Sequence, residues 1–269
     1  MHWIVRRRLG RREWATGRLF WGDPIHLYIG ESNSDALLSF GYIEIALTAL
    51  ALATIEPGMR VVDVGAHLGY VSMLASRLVG AAGRVVSFEP QSVIAERTQR
   101  NLSRYPQARL IKSAVGDENR EREFVEYDLV HSGLSGFEHD PGPRGGRRRM
   151  LPMVRLDDAL RPDERPVDFL KCDVEGAETS VLGGSQDILT RDRPLIVLEA
   201  EPPSPGGARP RIEEFRALLG PLGYEPFAFE FDGRLRTGAL DAVPMGHQNV
   251  GFVHSSRRGL RARLFERIP

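Results

Sequence analysis

The chain is poor in cysteine, lysine and long apolar runs, and its charges cancel. Cys172 is its single cysteine, which rules out an internal disulfide and any cysteine-based zinc site. Its longest apolar-leaning run, residues 45–55, falls short of the roughly 20 residues that cross a bilayer. The arginines near the start are followed by no apolar core and no small-residue cleavage site, so no secretory leader is expected. Lysine plus arginine number 36 and aspartate plus glutamate 36, a balance that argues against nucleic acid as the partner of the whole surface. Only Lys112 and Lys171 are lysines; the remaining basic charge is arginine, crowded at Arg6, Arg7, Arg8, Arg11, Arg12 and Arg18 and again at Arg257, Arg258, Arg261, Arg263 and Arg267. A composition bias explains that usage better than phosphate binding does. What is present is ordinary for a globular protein: 42% hydrophobic and 27% charged residues over 269 positions, enough for one large α/β domain. A cytoplasmic protein is the expectation.

Residues 1–34, with Trp3, Trp14, Phe20, Trp21 and Tyr28 between arginines, read as an extension packed on the core as a hairpin or short helix. Residues 35–256 read as the main domain and 257–269 as a basic tail. The apolar spacing predicts a helix over 35–55, stopped by the Pro57-Gly58 turn. Strands are then expected at 61–64, 84–88, 109–112, 167–172 and 195–198. Helices are expected up to about 79, from Pro90 to about 105, over 177–189 and over 212–219. Residues 124–127 suit an edge strand or hairpin, and 154–160 a link. Two last strands, 225–231 and 250–254, are joined by a loop containing Asp232-Gly233, a hairpin signal. The alternation implies an α/β fold, a doubly wound, mostly parallel sheet covered on both faces with an antiparallel terminal pair. Residues 131–149 and 201–210 read as long loops.

The most informative stretch is Val61 to Tyr70. A β-branched strand ends at Asp63-Val64, and Gly65-Ala66-His67-Leu68-Gly69 leads into a helix. Ligands of such sheets sit beyond the carboxyl ends of the strands. A diphosphate would meet His67 where the dinucleotide pattern has its second glycine, and Asp63 would repel it. A ligand with an ammonium and a sulfonium, as in S-adenosylmethionine, is attracted instead. Glu89, ending the next strand, can accept hydrogen bonds from both ribose hydroxyls.

Several motifs then coincide: Tyr42-Ile43-Glu44, the loop itself, Phe88-Glu89-Pro90, Ala114-Val115-Gly116-Asp117, Leu170-Lys171-Cys172-Asp173-Val174-Glu175-Gly176-Ala177-Glu178, Arg193-Pro194 before Glu199, and Asn249. Over residues 42–252 the sequence resembles the FkbM-type family of S-adenosylmethionine-dependent methyltransferases. The resemblance implies a class I methyltransferase fold, Rossmann-like, with a seven-stranded sheet whose last strand is antiparallel. It implies that Asp63, Gly65 and Gly69, with Ala66 and His67 of the same loop, hold the methionine part. Glu89 and Pro90 would then meet the ribose, Ser113 and Ala114 line the adenine pocket, and Glu44 and Asp173 lie near the ammonium and methyl side. His67, Leu68 and the Arg/Gly-rich stretch after His131 depart from the family pattern.

Methyl transfer to a hydroxyl requires orientation and removal of a proton, by a base or by a metal that acidifies the alcohol. Asp173 and Glu175 follow one strand, Glu199 and Glu201 the next. Asp173 or His131 is the candidate base, with Lys171 pairing an acid at the strand end. Alternatively Asp173 and Glu199 hold Mg²⁺. The expected acceptor is a hydroxyl on a sugar, glycoside or polyketide-type natural product, with a homo-oligomer left open and no membrane partner expected. An RNA methyltransferase and a metal-independent N-methyltransferase remain the alternatives. Against nucleic acid, the Pro-Pro-aromatic motif is missing after the fourth strand, and Glu201-Pro202-Pro203-Ser204 lacks the aromatic. Arg147, Arg148 and Arg149 are candidates for recognising an anion from the loop, with a solvated loop as the simpler reading.

Overall fold

The computed structural model describes residues 14–132, 135–136, 146–200, 212–240 and 249–265. A hairpin, β1 (Trp14–Arg18) and β2 (Pro24–Tyr28), precedes two helices, α1 (Ser32–Phe40) and α2 (Ile45–Thr54). Then β3 (Arg60–Val64), α3 (Tyr70–Val79), β4 (Arg84–Phe88), α4 (Ser92–Leu102) and β5 (Ala108–Ile111) alternate. Next come β6 (Ala114–Val115), β7 (Arg120–Glu126), β8 (Arg147–Val154), α5 (Leu156–Ala159), β9 (Phe169–Cys172), α6 (Glu178–Gly183) and β10 (Leu195–Glu199). The order closes with α7 (Ile212–Leu219), β11 (Tyr224–Phe231), β12 (Leu235–Gly238), β13 (Asn249–His254) and α8 (Arg258–Phe265).

The main sheet runs β12-β11-β13-β10-β9-β3-β4-β5. β10, β9, β3, β4 and β5 are mutually parallel, and β13 is antiparallel to both neighbours. The doubly wound α/β sheet is therefore as expected, but with eight strands. Asp232-Gly233 does not lead from β11 to β13; it turns β11 back into β12, a strand the sequence reading lacked. The antiparallel last strand lies between β10 and β11, not at the edge.

Side chains alternate across β3, so Val61 joins the core on one face, and Val62 and Val64 the core on the other. Asp63 therefore points with Val61, toward α3. The same parity puts Phe169 and Lys171 of β9 on that face and Leu170 and Cys172 on the opposite one.

Four local expectations change. The helix foreseen over 35–55 is two helices meeting at 64°. Gly41 caps the first with φ 75°, and a β-carbon there would stand 2.8 Å from Arg18 O and 2.9 Å from Phe20 N. No single helix among the described residues is long and apolar enough to cross a membrane. Pro90 stands before the N-cap, Gln91, not inside the first turn of α4. α6 stops at the Gly183-Gly184 pair, and helical structure resumes at residue 186 and runs on through Ile188–Asp192.

Finally, Arg147, Arg148 and Arg149 are not in a loop. They open β8, which pairs antiparallel with β7 in a separate sheet of order β6-β8-β7. Arg148 pairs with Glu123, and Arg149 Nε lies 2.7 Å from Glu126 Oε2; both are diagonal cross-strand ion pairs. Residues 1–13, 201–211 and 266–269, with Glu201 and most of the terminal arginines, lie outside the described residues. In the described part of the basic tail, α8 packs by Leu264, with Arg263 Nη1 3.0 Å from Glu56 Oε1.

The Gly41 geometry carries a prediction. Gly41→Ala combines a left-handed backbone with a backbone clash, so it should destabilise the fold by about 2 kcal/mol or more. Urea denaturation measures this; wild-type stability in the variant would contradict the account of the bend.

Candidate functional site

A cleft of about 1000 Å³, counting the part continuous with solvent, opens beyond the carboxyl ends of β3, β4 and β9. This is the switch point of the sheet, where the chain leaves β3 for β4 on one side and returns to β9 on the other. The glycine loop forms its floor. Gly65 and Ala66 donate their N–H groups to Phe88 O at 3.1 and 2.9 Å, which fastens the loop to the end of β4. Gly65 has φ 77°, and a β-carbon there would lie 1.8 Å from Asp173 O. No other residue fits, because the loop after β3 and the loop after β9 touch backbone to backbone.

Beneath the floor, Ser87, Asp63 and Lys171 form a row across β4, β3 and β9, paired directly in register. Ser72 Oγ donates to Asp63 Oδ2 at 2.5 Å, and Ser87 Oγ donates to Ser72 Oγ at 2.7 Å. Lys171 Nζ donates to Gly65 O at 2.8 Å and stands 3.5 Å from both Asp63 Oδ1 and Asp173 Oδ2. Lys171 is 4% exposed. Burial opposes its charge, but Asp173, Asp63 and Glu44 outweigh that and hold the ammonium well above its ordinary pKa.

Glu89 closes the β4 side. Its Oε2 accepts from His67 N and its Oε1 from Gln91 N, both at 2.9 Å. Burial pushes this carboxyl up to about 7, opposed by those two hydrogen bonds. Glu44 lines the opposite wall and takes φ 44°. Its side chain still reaches solvent through the open cleft. Enclosure by the cleft, then the charge of Asp173, raise it to about 7 against Lys171 and a hydrogen bond with Asn249. Burial lowers the His67 imidazole below its usual value. The Asp173–Gly176 turn is pinned by Glu178, whose Oε1 accepts from Val174 N at 3.0 Å and Gly176 N at 3.3 Å.

Backbone strain is concentrated here. Among the described residues, four non-glycine positions have positive φ, and three of them, Glu44, His67 and Glu175, line the cleft. Such conformations persist where the surroundings impose them, often at functional sites.

The structure brings most of the expected residues together. Glu44, Gly65, Ala66, His67, Glu89, Pro90, Ser113, Ala114, Lys171 and Asp173 all line the cleft. Asp63 and Gly69 do not. Asp63 is buried under the loop by the parity of β3, and Gly69 faces Thr98 at the N-cap of α3. Ser113 lines the wall with its hydroxyl turned to the backbone, its proton shared between Pro152 O at 2.7 Å and Ala114 O at 2.9 Å. His131 does not line the cleft; its Nδ1 pairs with Asp128 Oδ1 at 2.8 Å on the surface. Glu199 is buried at the end of β10, and one ligand atom each from Asp173, Glu175 and Glu199 fall within 4.8 Å of one another. Phe124, Ser132 and Ser135 also line the cleft, brought there by β7 and the segment after it, and no local signal marked them.

Comparison with known proteins matches residues 63–226, more than half of the chain, to the methyltransferase FkbM domain. The chain belongs to the FkbM methyltransferase family. The matched region is a methyltransferase domain. The AMB antimetabolite synthetase AmbE of Pseudomonas aeruginosa is 32% identical over 208 residues, 64% of this chain and 10% of that protein. Protein-L-isoaspartate O-methyltransferase 2 of Arabidopsis thaliana is 28% identical over 130 residues, 44% of this chain and 42% of that one. This FkbM chain thus spans less than half the length of either relative. Methyltransferase sdnD of Sordaria araneosa is 29% identical over 206 residues, 65% of this chain and 76% of that protein. The crystal structure of an FkbM methyltransferase from Methylobacillus flagellatus shares the fold at 14% identity, with a TM-score of 0.50, covering 77% of this chain and 50% of that chain.

The cleft suits the family's cofactor chemically. Glu89 presents an oriented carboxyl, and Glu44 and Asp173 offer anions to an ammonium and a sulfonium.

The raised Glu89 pKa sets a pH dependence. An unfolded glutamate releases its proton near 4.5 and the folded Glu89 near 7. Between those values the folded state holds more protons, so this group's contribution to stability falls as pH rises. The stability of Glu89→Gln relative to wild type should therefore grow between about pH 5 and about pH 8, by up to about 3 kcal/mol. Denaturation at several pH values tests this, and a constant difference would refute the buried, raised carboxyl.

Proposed function

We propose that this methyltransferase acts on a hydroxyl of a small molecule, a sugar, glycoside or polyketide-type product, with Asp173 taking the hydroxyl proton. The observation that carries this reading is the placement of Asp173. It lies at the end of β9 on the cleft wall, backed by Lys171 at 3.5 Å, and its own carbonyl abuts the glycine loop. Lys171 places a positive charge 3.5 Å from the carboxylate, and the turn pinned by Glu178 holds it still. The partial match to a protein named an antimetabolite synthetase supports a small-molecule acceptor over nucleic acid.

In this reading Glu89 accepts from the ribose hydroxyls, the backbone around Ser113 and Ala114 walls the adenine end, and Glu44 faces the ammonium. Bound there, S-adenosylmethionine supplies an electrophilic methyl group. The chain's own work is to hold the two reactants in line and exclude competing water.

A divalent cation is the second branch. Asp173, Glu175 and Glu199 are hard oxygen donors close enough to share Mg²⁺. Lys171 already supplies positive charge 3.5 Å from Asp173, and we therefore propose a metal-free reaction.

Incubation with S-adenosylmethionine and a panel of sugar and macrolide acceptors, read by mass spectrometry, should show the gain of one methyl group, unchanged by EDTA. Loss of turnover in EDTA with recovery on adding Mg²⁺ would replace the metal-free branch. Asp173→Asn should lower kcat on the order of 10²-fold or more while S-adenosylhomocysteine affinity stays within a few-fold. Undiminished turnover would remove Asp173 from the role of base.

A further inference from the structure

His67 occupies a position that its own backbone disfavours. Its φ is 48°, in the left-handed region where glycine sits freely and a β-carbon is crowded. The backbone duties of the residue do not require a side chain. His67 N donates to Glu89 Oε2 at 2.9 Å, and Thr98 Oγ1 donates to His67 O. A glycine would do both.

The imidazole instead reaches across the cleft. His67 Nε2 lies 2.8 Å from Ser132 Oγ, and Ser132 is buried in the segment that leaves β7, far along the chain. That segment has its own anchors. Leu129 packs against the core, Ser132 Oγ donates to Leu129 O at 3.2 Å, and Gln91 Nε2 donates to Tyr127 O at 3.0 Å. Gln91 is also the residue whose N–H orients Glu89. His67 and Ser132 both line the cleft, so their contact joins its floor to its outer wall.

We infer that His67 and Ser132 form a clasp over the cofactor cleft that retains the bound nucleoside, His67 acting as a positioning residue. The strained backbone is kept because glycine, the relaxed choice, has nothing with which to reach Ser132. A plain loop residue would leave no reason for the strain. The inference rests on the reading that this cleft binds S-adenosylmethionine and its demethylated product.

Stopped-flow dissociation of S-adenosylhomocysteine from the full chain, alongside thermal melting, tests it. His67→Gly should keep or raise Tm, since it relaxes the backbone, yet release the nucleoside on the order of tenfold faster, the worth of one hydrogen bond. Ser132→Ala should accelerate release by a similar factor, and the double variant by no more than either alone. Wild-type release rates in both single variants, or effects that multiply in the double variant, would overturn the clasp. A lowered Tm in His67→Gly with unchanged release would mark His67 as structural only and also overturn it. Failure of the wild-type chain to bind S-adenosylhomocysteine would overturn the cofactor reading and the clasp together.

Discussion

One buried ammonium organises this cleft. Lys171 sits where β9 meets β3, opposite Asp63 in register, with its Nζ on Gly65 O and Asp173 close by. A charge so enclosed would be costly alone, and two carboxylates so close would repel. Together they offset each other, and the arrangement ties three things to one atom: the strand beneath the glycine loop, the loop's own carbonyl, and the acid on the cleft wall. The row continues through Ser72 and Ser87, so the donors and acceptors under the floor are mostly satisfied.

Rigidity follows from contact between two loops. Gly65 and Asp173 meet backbone to backbone, so neither loop can shift without the other. Glu178 then holds the second loop from behind, through Val174 and Gly176, and supports the left-handed turn at Glu175. Such preorganisation matters for a displacement whose leaving group is already good, because alignment is most of what the protein has to supply.

The outer walls of the cleft are built from parts that lie outside the main sheet. The bend at Gly41 presents Glu44, and β7 with the segment after it presents Phe124 and Ser132. A shared fold says little about what enters between them, since function resides in such additions. The family relation accordingly extends to the methyltransferase domain, not to what enters the cleft.

The strand-helix alternation, the glycine loop, Glu89 and the run from Lys171 to Glu178 were legible in the chain because each is local. A β-branched run, a turn glycine or an acid at a strand end acts through neighbours a few residues away. Only the tertiary structure decided that Asp63 lies under the loop, that His131 stays on the surface, and that Arg147 to Arg149 belong to a strand. Only it brought Ser132 to His67, 65 residues apart. Register between strands and the approach of distant segments depend on how buried faces pack together, and no spacing within one segment encodes that.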